Sequence, residues 1–165
     1  MYENLKQAEQ NRKNRVYVGI DPDRDKSGFA IYFRRDKSLV LKNLTFFEIM
    51  GELKRLSTPE LCGYSTEDYP APLKVFIEAG WLNKSHWHTR EWDNKSVASR
   101  IAACTGANHE TGKKIVEMCE YMNISYTLIR PTQSKTTQEY FKTLTKYPKR
   151  TNSEQRDAAM LVWGR

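Results

Sequence analysis

The chain has 165 residues, of which 39% are hydrophobic and 12% aromatic, so a folded domain with a sizeable core is expected. Its 27 basic and 20 acidic residues give a net charge of +7, which suggests an anionic partner, most often nucleic acid and less often anionic lipid. An ordinary solvated basic surface is the alternative. No apolar run approaches the ~20 residues of a membrane span, and no signal peptide is recognisable. Three cysteines without zinc-like spacing predict reduced thiols and a cytoplasmic location.

The N-terminal part of the chain predicts a polar arm followed by a strand. Residues 1–14 are polar and charged, and residues 15–165 are expected to form one domain. The run 15–20 is rich in β-branched and aromatic residues, which is typical of a strand. Asp21-Pro22 ends it, because the residue before proline is restricted to extended geometry. A carboxylate therefore stands at the carboxyl end of this strand, where open α/β sheets bind their ligands.

Two further strands and a helix follow. Apolar residues predict strands at 29–33 and from Leu39 onward, and the short connections predict an antiparallel meander with the first strand. Thr45 and Glu48 have the spacing of a capping box and predict the start of a helix. The stretch 57–72, which contains prolines and polar residues, predicts an unusually long loop.

A fourth strand and a long helix begin the second half. The apolar run 73–78 predicts a strand that again ends in a carboxylate, Glu78. A polar, aromatic loop over 80–93 precedes a helix that Asn94 could cap and that continues toward Met122. Each glycine inside this helix disfavours it by about 1 kcal/mol relative to alanine, which indicates close packing at those positions.

A strand and two helices complete the chain. Residues 124–129 predict the fifth strand and residues 136–144 a short helix. Asn152 or Ser153 caps a last helix that is expected to continue through Trp163. The predicted order is thus three strands, a helix, a strand, a helix, a strand and two helices.

Acidic residues recur at the ends of these elements. Asp21 and Glu78 follow strands that should lie side by side, and Glu154 and Asp157 share one face of the last helix. Converging carboxylates repel one another unless a divalent cation lies between them, and oxygen ligands suit Mg²⁺ or Mn²⁺. Such ions can assist the displacement reaction at a phosphodiester. Turn formation by Asp21 and a favourable helix dipole for Glu154 are the alternative explanations.

Three motifs resemble the RuvC family of Holliday junction resolvases, particularly its phage-type members. They are Gly19-Ile20-Asp21-Pro22, Val75-Phe76-Ile77-Glu78 and Arg156-Asp157-Ala158-Ala159-Met160-Leu161. The resemblance implies an RNase H-like α/β fold, with a mixed sheet of three antiparallel strands and then two parallel ones, flanked by helices. It also implies catalytic metal ligands for Mg²⁺, which Mn²⁺ could replace, and these would be Asp21, Glu78, Glu154 and Asp157. Lys135 resembles a family lysine near the scissile phosphate.

The activity that this resemblance implies is phosphodiester hydrolysis in branched DNA. The family resolves four-way junctions with a metal-dependent endodeoxyribonuclease activity. Two cuts on opposed strands need two active sites, so a homodimer is the expected assembly. The alternatives are another RNase H-like nuclease, acting on RNA–DNA hybrids or flaps, and a non-catalytic nucleic-acid-binding module.

Aromatic and basic residues predict a nucleic-acid surface. In the loop after the fourth strand, residues that could stack on bases or contact phosphates are Trp81, Lys84, Trp87 and Arg90. Core packing of the tryptophans is the alternative. A second basic cluster comprises Lys142, Lys146, Lys149 and Arg150, for which a solvated helix face is the alternative. His86 and His88 lack a nearby cysteine and are poor zinc candidates, and His109 is expected at the surface.

Overall fold

Five strands and four helices make up the part of the chain that the structure, a computed structural model, describes: residues 16–58, 73–83, 94–132 and 134–165. The strands are β1 (Val16–Asp21), β2 (Ser27–Phe33), β3 (Ser38–Leu44), β4 (Lys74–Glu78) and β5 (Ser125–Ile129). The helices are α1 (Phe46–Ser57), α2 (Lys95–Tyr121), α3 (Gln138–Thr145) and α4 (Ser153–Met160), and Gly80–Leu82 forms a 3-10 turn. The arm predicted at 1–14 and most of the two predicted loops lie outside the described residues.

The strands form one mixed sheet in the order β3-β2-β1-β4-β5. β2 is antiparallel to both β1 and β3, whereas β4 is parallel to both β1 and β5. This is the arrangement of the RNase H-like fold, so the predicted fold class is confirmed. β1 is the central strand, and its parallel pairing with β4 brings the carboxyl ends of the two strands to the same edge of the sheet.

Two apolar layers cover the two faces of the sheet. Successive side chains of β1 point to opposite faces of the sheet. On one face, Val18 and Ile20 pack with buried side chains of α1 and α2, such as Leu53 and Ile115. On the opposite face, Tyr17 and its neighbours pack against α3 and α4, and the residues of this layer include Phe76, Phe141, Ala158 and Val162. A central strand buried on both faces explains why its sequence is an almost continuous apolar run.

Local capping explains where the helices begin. Thr45 and Glu48 form the predicted capping box at α1, and the Thr45 backbone N–H donates to the Glu48 carboxylate at 2.8 Å. Asn94 caps α2 by accepting from the Val97 backbone N–H at 2.9 Å. Asn152 caps α4 as predicted. The helix ends at Met160, and residues 161–164 form a turn, so the prediction that it continues through Trp163 is wrong. None of the described helices is long and apolar enough to cross a membrane.

Glycines control how closely α4 approaches the sheet. A Cβ atom added to Gly19 in β1 would overlap the backbone carbonyl oxygen of Ala158, and one added to Gly28 in β2 would overlap that of Glu154. In α2, Gly112 admits the ring of Trp81, which is the close packing that the sequence indicated, whereas no described atom lies within 4 Å of a Cβ added to Gly106, so the prediction is wrong there. Two backbone contacts therefore place α4 directly on β1, which ends at Asp21, and on β2, which begins beside it.

This packing predicts opposite outcomes for two alanine substitutions. Gly19→Ala forces a side chain into a backbone carbonyl that cannot rotate away, so the free energy of unfolding should fall by about 3 kcal/mol. Gly51→Ala lies within α1, where no described atom is within 4 Å of an added Cβ, so it should raise that free energy by about 0.5–1 kcal/mol. Urea denaturation measures both, and equal effects of the two substitutions would refute the close-approach explanation.

Candidate active site

β1 and β4 bring Asp21 and Glu78 to one edge of the sheet. Ile20 of β1 is aligned with Ile77 of β4, so the acidic residues that follow them in the two strands leave the sheet side by side. Glu78 is also aligned with Ile129 of β5, and the Ile129 carbonyl accepts from the Ala79 backbone N–H at 2.8 Å. Both carboxylates thus stand on firmly paired backbone, as their positions at strand ends predicted.

α4 and the connector before α3 add a third carboxylate and a cation. Asp157 directly precedes Ala158, whose carbonyl lies against Gly19, so its position follows from the contact between α4 and β1. The Lys135 ammonium donates to Asp157 Oδ2 in a salt bridge that joins the connector to the helix. The Asp157 side chain is only 10% exposed whereas that of Lys135 is 62% exposed, so the lysine covers the carboxylate from the solvent side.

The charges around Asp21 influence the protonation of its carboxyl group. The pKa of Asp21 is raised from 3.8 to about 8. Burial is the largest cause, and the negative charges of Glu78 and then Asp157 contribute next. Lys135 opposes the shift by lowering this pKa, and Glu154 makes the smallest contribution of the acids. Asp21, Glu78 and Asp157 therefore form one interacting cluster, to which Glu154 is peripheral.

The pKa values of Glu78 and Lys135 are also raised. Burial raises the pKa of Glu78, Asp157 raises it as well, and Lys135 lowers it. For Lys135, burial alone would lower the pKa, but the hydrogen bond to Asp157 and the attraction of Asp157, Asp21 and Glu78 leave it raised. The cluster holds more negative charge than one lysine neutralises, which is a reason for a further cation to bind there.

α2 supports the backbone next to both strand ends, in a way that the sequence did not indicate. The Arg24 backbone N–H donates to Asn108 Oδ1 at 3.0 Å, and Asn108 Nδ2 donates to Asp23 Oδ2 at 3.3 Å, which fixes the turn after β1. The next residue, His109, is partly buried rather than at the open surface, and its ring lies against Gly80 and Trp81. The sequence could not indicate these contacts of Asn108 and His109, because their partners are distant along the chain.

The donor chemistry fits a hard divalent cation, although the side chains are not gathered around one point. Carboxylate oxygens are the ligands that Mg²⁺ and Mn²⁺ prefer, and partly buried carboxylates with raised pKa values gain most from such a cation. Over the described ranges, no group of three or more His, Cys, Asp or Glu side chains stands in an arrangement that could hold a metal ion. The metal-ligand roles of Asp21, Glu78, Glu154 and Asp157 accordingly stay predictions.

The predicted nucleic-acid-binding residues fall into two groups. Trp81 packs against the core and Gly112, which agrees with the alternative of a core anchor, while the remainder of its loop lies outside the described residues, including Lys84, His86, Trp87, His88 and Arg90. The second group is exposed on α3 and on the turn that follows it, and comprises Lys142, Lys146, Lys149 and Arg150. Three of these four residues line a groove together with Gln138, Thr151 and Arg156.

The similarity to known proteins is structural. No family model matches the sequence, and no curated protein matches it. Among solved structures, the chain is similar to the RuvC of T. thermophilus in complex with a Holliday junction substrate, with 12% sequence identity, a TM-score of 0.41 and coverage of 89% of each chain.

The raised pKa of Asp21 predicts a pH-dependent stability difference for Asp21→Asn. Between the ordinary value of 3.8 and about 8, the folded protein keeps a proton that the unfolded chain has lost, so stability falls as pH rises. The asparagine variant lacks this loss, and its free energy of unfolding relative to the parent should increase with pH, by at most about 1.4 kcal/mol per unit. Urea unfolding in EDTA between pH 5 and about pH 8 measures the trend.

The matched control is Asp36→Asn, because Asp36 is exposed in the turn between β2 and β3 at the opposite end of the strands. Its stability difference from the parent should stay small throughout the same pH range. A pH-independent difference for Asp21→Asn would contradict a buried, mutually repelling carboxylate cluster.

Proposed function

We propose that this protein is a divalent-metal-dependent endonuclease that hydrolyses phosphodiesters in branched DNA and resolves four-way junctions. The observation that carries the proposal is that Asp21, Glu78 and Asp157, from three separate elements, interact electrostatically at one end of the sheet, with Lys135 bound to Asp157. A structural role alone gives no reason to hold three partly buried carboxylates near one another, since their repulsion costs stability. The sequence resemblance to RuvC resolvases, including phage-type members, is the second support.

The residues of the cluster have separate tasks in this proposal. Asp21, Glu78 and Asp157 would hold the cation, with Glu154 reaching it from the edge of the cluster. When bound, Mg²⁺ or Mn²⁺ supplies activation of a water molecule and neutralisation of charge on the attacking and leaving oxygens. Lys135 is exposed enough to donate from Nζ to a non-bridging oxygen of the scissile phosphate while it remains close to Asp157.

A basic surface beside the cluster would bind the DNA backbone. Lys142, Lys149 and Arg150 are exposed, and they line a groove that begins next to α4, the helix that carries Asp157. The net charge of +7 provides a long-range attraction for a polyanion. These residues would hold phosphates while the acidic cluster acts on one of them.

Assembly and location follow from the same proposal. Each protomer brings one cluster, so a homodimer would supply the two sites that opposed cuts at a junction require. Action in the cytoplasm, or in the host cytoplasm if the gene is phage-encoded, is consistent with two free cysteines, Cys104 and Cys119, in the described chain.

The first prediction from this function concerns Asp21. Asp21→Asn should lower the single-turnover cleavage rate of a synthetic four-way junction in Mg²⁺ by at least ~100-fold, because it removes a ligand charge. Its junction affinity, measured by gel shift in Ca²⁺ or EDTA, should change less than about twofold, since the basic surface is intact. Glu154→Gln should reduce the rate less than Asp21→Asn does, in agreement with its peripheral position.

Asp36→Asn is again the control, because it makes the same chemical change at the far end of the sheet. Cleavage by Asp21→Asn at the parental rate would remove the cluster from the mechanism. Parental cleavage of RNA–DNA hybrids or flaps in preference to four-way junctions would keep the nuclease and replace the substrate. Binding without cleavage by the parent at any Mg²⁺ or Mn²⁺ concentration would indicate a non-catalytic binding module.

The second prediction concerns the basic groove. The double variant Lys149→Ala/Arg150→Ala should weaken junction binding and reduce the slope of log affinity against log salt by about 2, because each phosphate contact contributes about 0.9. The matched control is Lys113→Ala/Lys114→Ala on α2, where both lysines form salt bridges with glutamates of the same helix. Equal slopes for the two double variants would exclude the groove as the path of the DNA.

A further inference from the structure

Arg156 makes contacts that its position next to Asp157 did not predict. Its Nε donates to the backbone carbonyl of Thr136 at 2.7 Å, and its Nη1 donates to the backbone carbonyl of Thr151 at 2.8 Å. The guanidinium is partly buried and directed into the protein. Although Arg156 lines the basic groove, these N–H groups donate to backbone carbonyls of the protein itself.

Gln138 supports Thr151, whose backbone carbonyl accepts from Arg156, and Gln138 Oε1 is itself 3.5 Å from Arg156 Nη1. The same Oε1 accepts from the Thr151 backbone N–H at 2.9 Å and from the Thr151 hydroxyl at 2.7 Å. Thr151 is only 7% exposed, so these bonds are shielded from competing water. The start of α3, the turn before α4 and the guanidinium therefore form one connected polar network.

The network lies directly beside the salt bridge of the cluster. Thr136, which Arg156 holds, follows Lys135, and Asp157, which Lys135 binds, follows Arg156. Two adjacent cross-links thus join the same connector to the same helix. Thr137 is anchored separately, because its carbonyl accepts from the Phe141 backbone N–H at 2.9 Å and its hydroxyl caps α3. Arg156, in contrast, holds the carbonyl of Thr136, the residue next to Lys135.

We propose that Arg156 is a positioning residue that holds the Lys135 ammonium over Asp157, and this inference rests on the function proposed above. The geometry requires a guanidinium, because the two carbonyls lie in different directions and a lysine can present only one point charge to them. Charge conservation alone should therefore not preserve the role.

A double-mutant cycle tests the proposal. Arg156→Lys should lower the single-turnover cleavage rate by about 10-fold in the parent but by less than about 2-fold in a Lys135→Ala background, because the effect acts through that lysine. The control is Arg165→Lys, since Arg165 also donates from Nε to a backbone carbonyl, that of Leu161, away from the cluster. Equal losses in both backgrounds would overturn the positioning role.

A second measurement does not depend on cleavage. A carbodiimide couples a carboxylate to a touching amine and takes up the water released, so the yield of the Lys135–Asp157 amide reports their contact. Peptide mass mapping should give a yield at least about 3-fold lower in Arg156→Lys, relative to the Lys42–Glu52 pair in the same sample, whose Nζ and Oε1 are 2.7 Å apart. An unchanged ratio would overturn the proposal even if the parent cleaves no DNA.

Gln138→Met provides the same test if Arg156→Lys does not fold. It removes the amide that fixes Thr151 but keeps the length of the side chain, so one of the two backbone carbonyls that accept from Arg156 loses its support. The cross-link yield should fall in the same direction by about 2-fold or less, because the Thr136 bond remains. No fall with Gln138→Met would count against the network.

Discussion

The contact of α4 with the sheet through Gly19 and Gly28 is the constraint on which the rest of the site depends. Both contacts involve backbone carbonyls of the helix, so side-chain rotation cannot adjust the separation of helix and sheet. Gly28 is also aligned with Asp21 across the β1–β2 pairing. One approach therefore sets the depth of the apolar layer and the distance from Asp157 to the carboxylates at the strand ends.

The protein carries an electrostatic cost at this point and offsets it elsewhere. Asp21 and Glu78 are held where burial and the charges of neighbouring acids disfavour their charged forms, and Lys135 is the described cation that opposes this effect at both. The apolar layers on the two faces of the sheet supply the stability that permits this arrangement. A stable framework that carries a destabilised cluster of charged groups is typical of functional sites.

The sequence predicted the features that depend on local chemistry. The strand end at Asp21-Pro22, the capping box at Thr45 and the cap at Asn94 each follow from residues within a few positions of one another. The adjacency of Asp21 and Glu78 also followed, because parallel neighbours share a sheet edge. The contacts of Arg156 and the inward position of His109 did not, since each depends on partners that only the tertiary packing brings near.

The topology of the sheet has a consequence for when the cluster exists during folding. The β1–β2–β3 meander closes through short turns and can form early, but it contains only Asp21 of the cluster. Glu78 arrives with the crossover to β4, and Asp157 arrives when α4 docks, so both depend on slow, long-range contacts. A partly folded chain therefore lacks the complete set of acids, and any chemistry that needs all of them is withheld until global folding is finished.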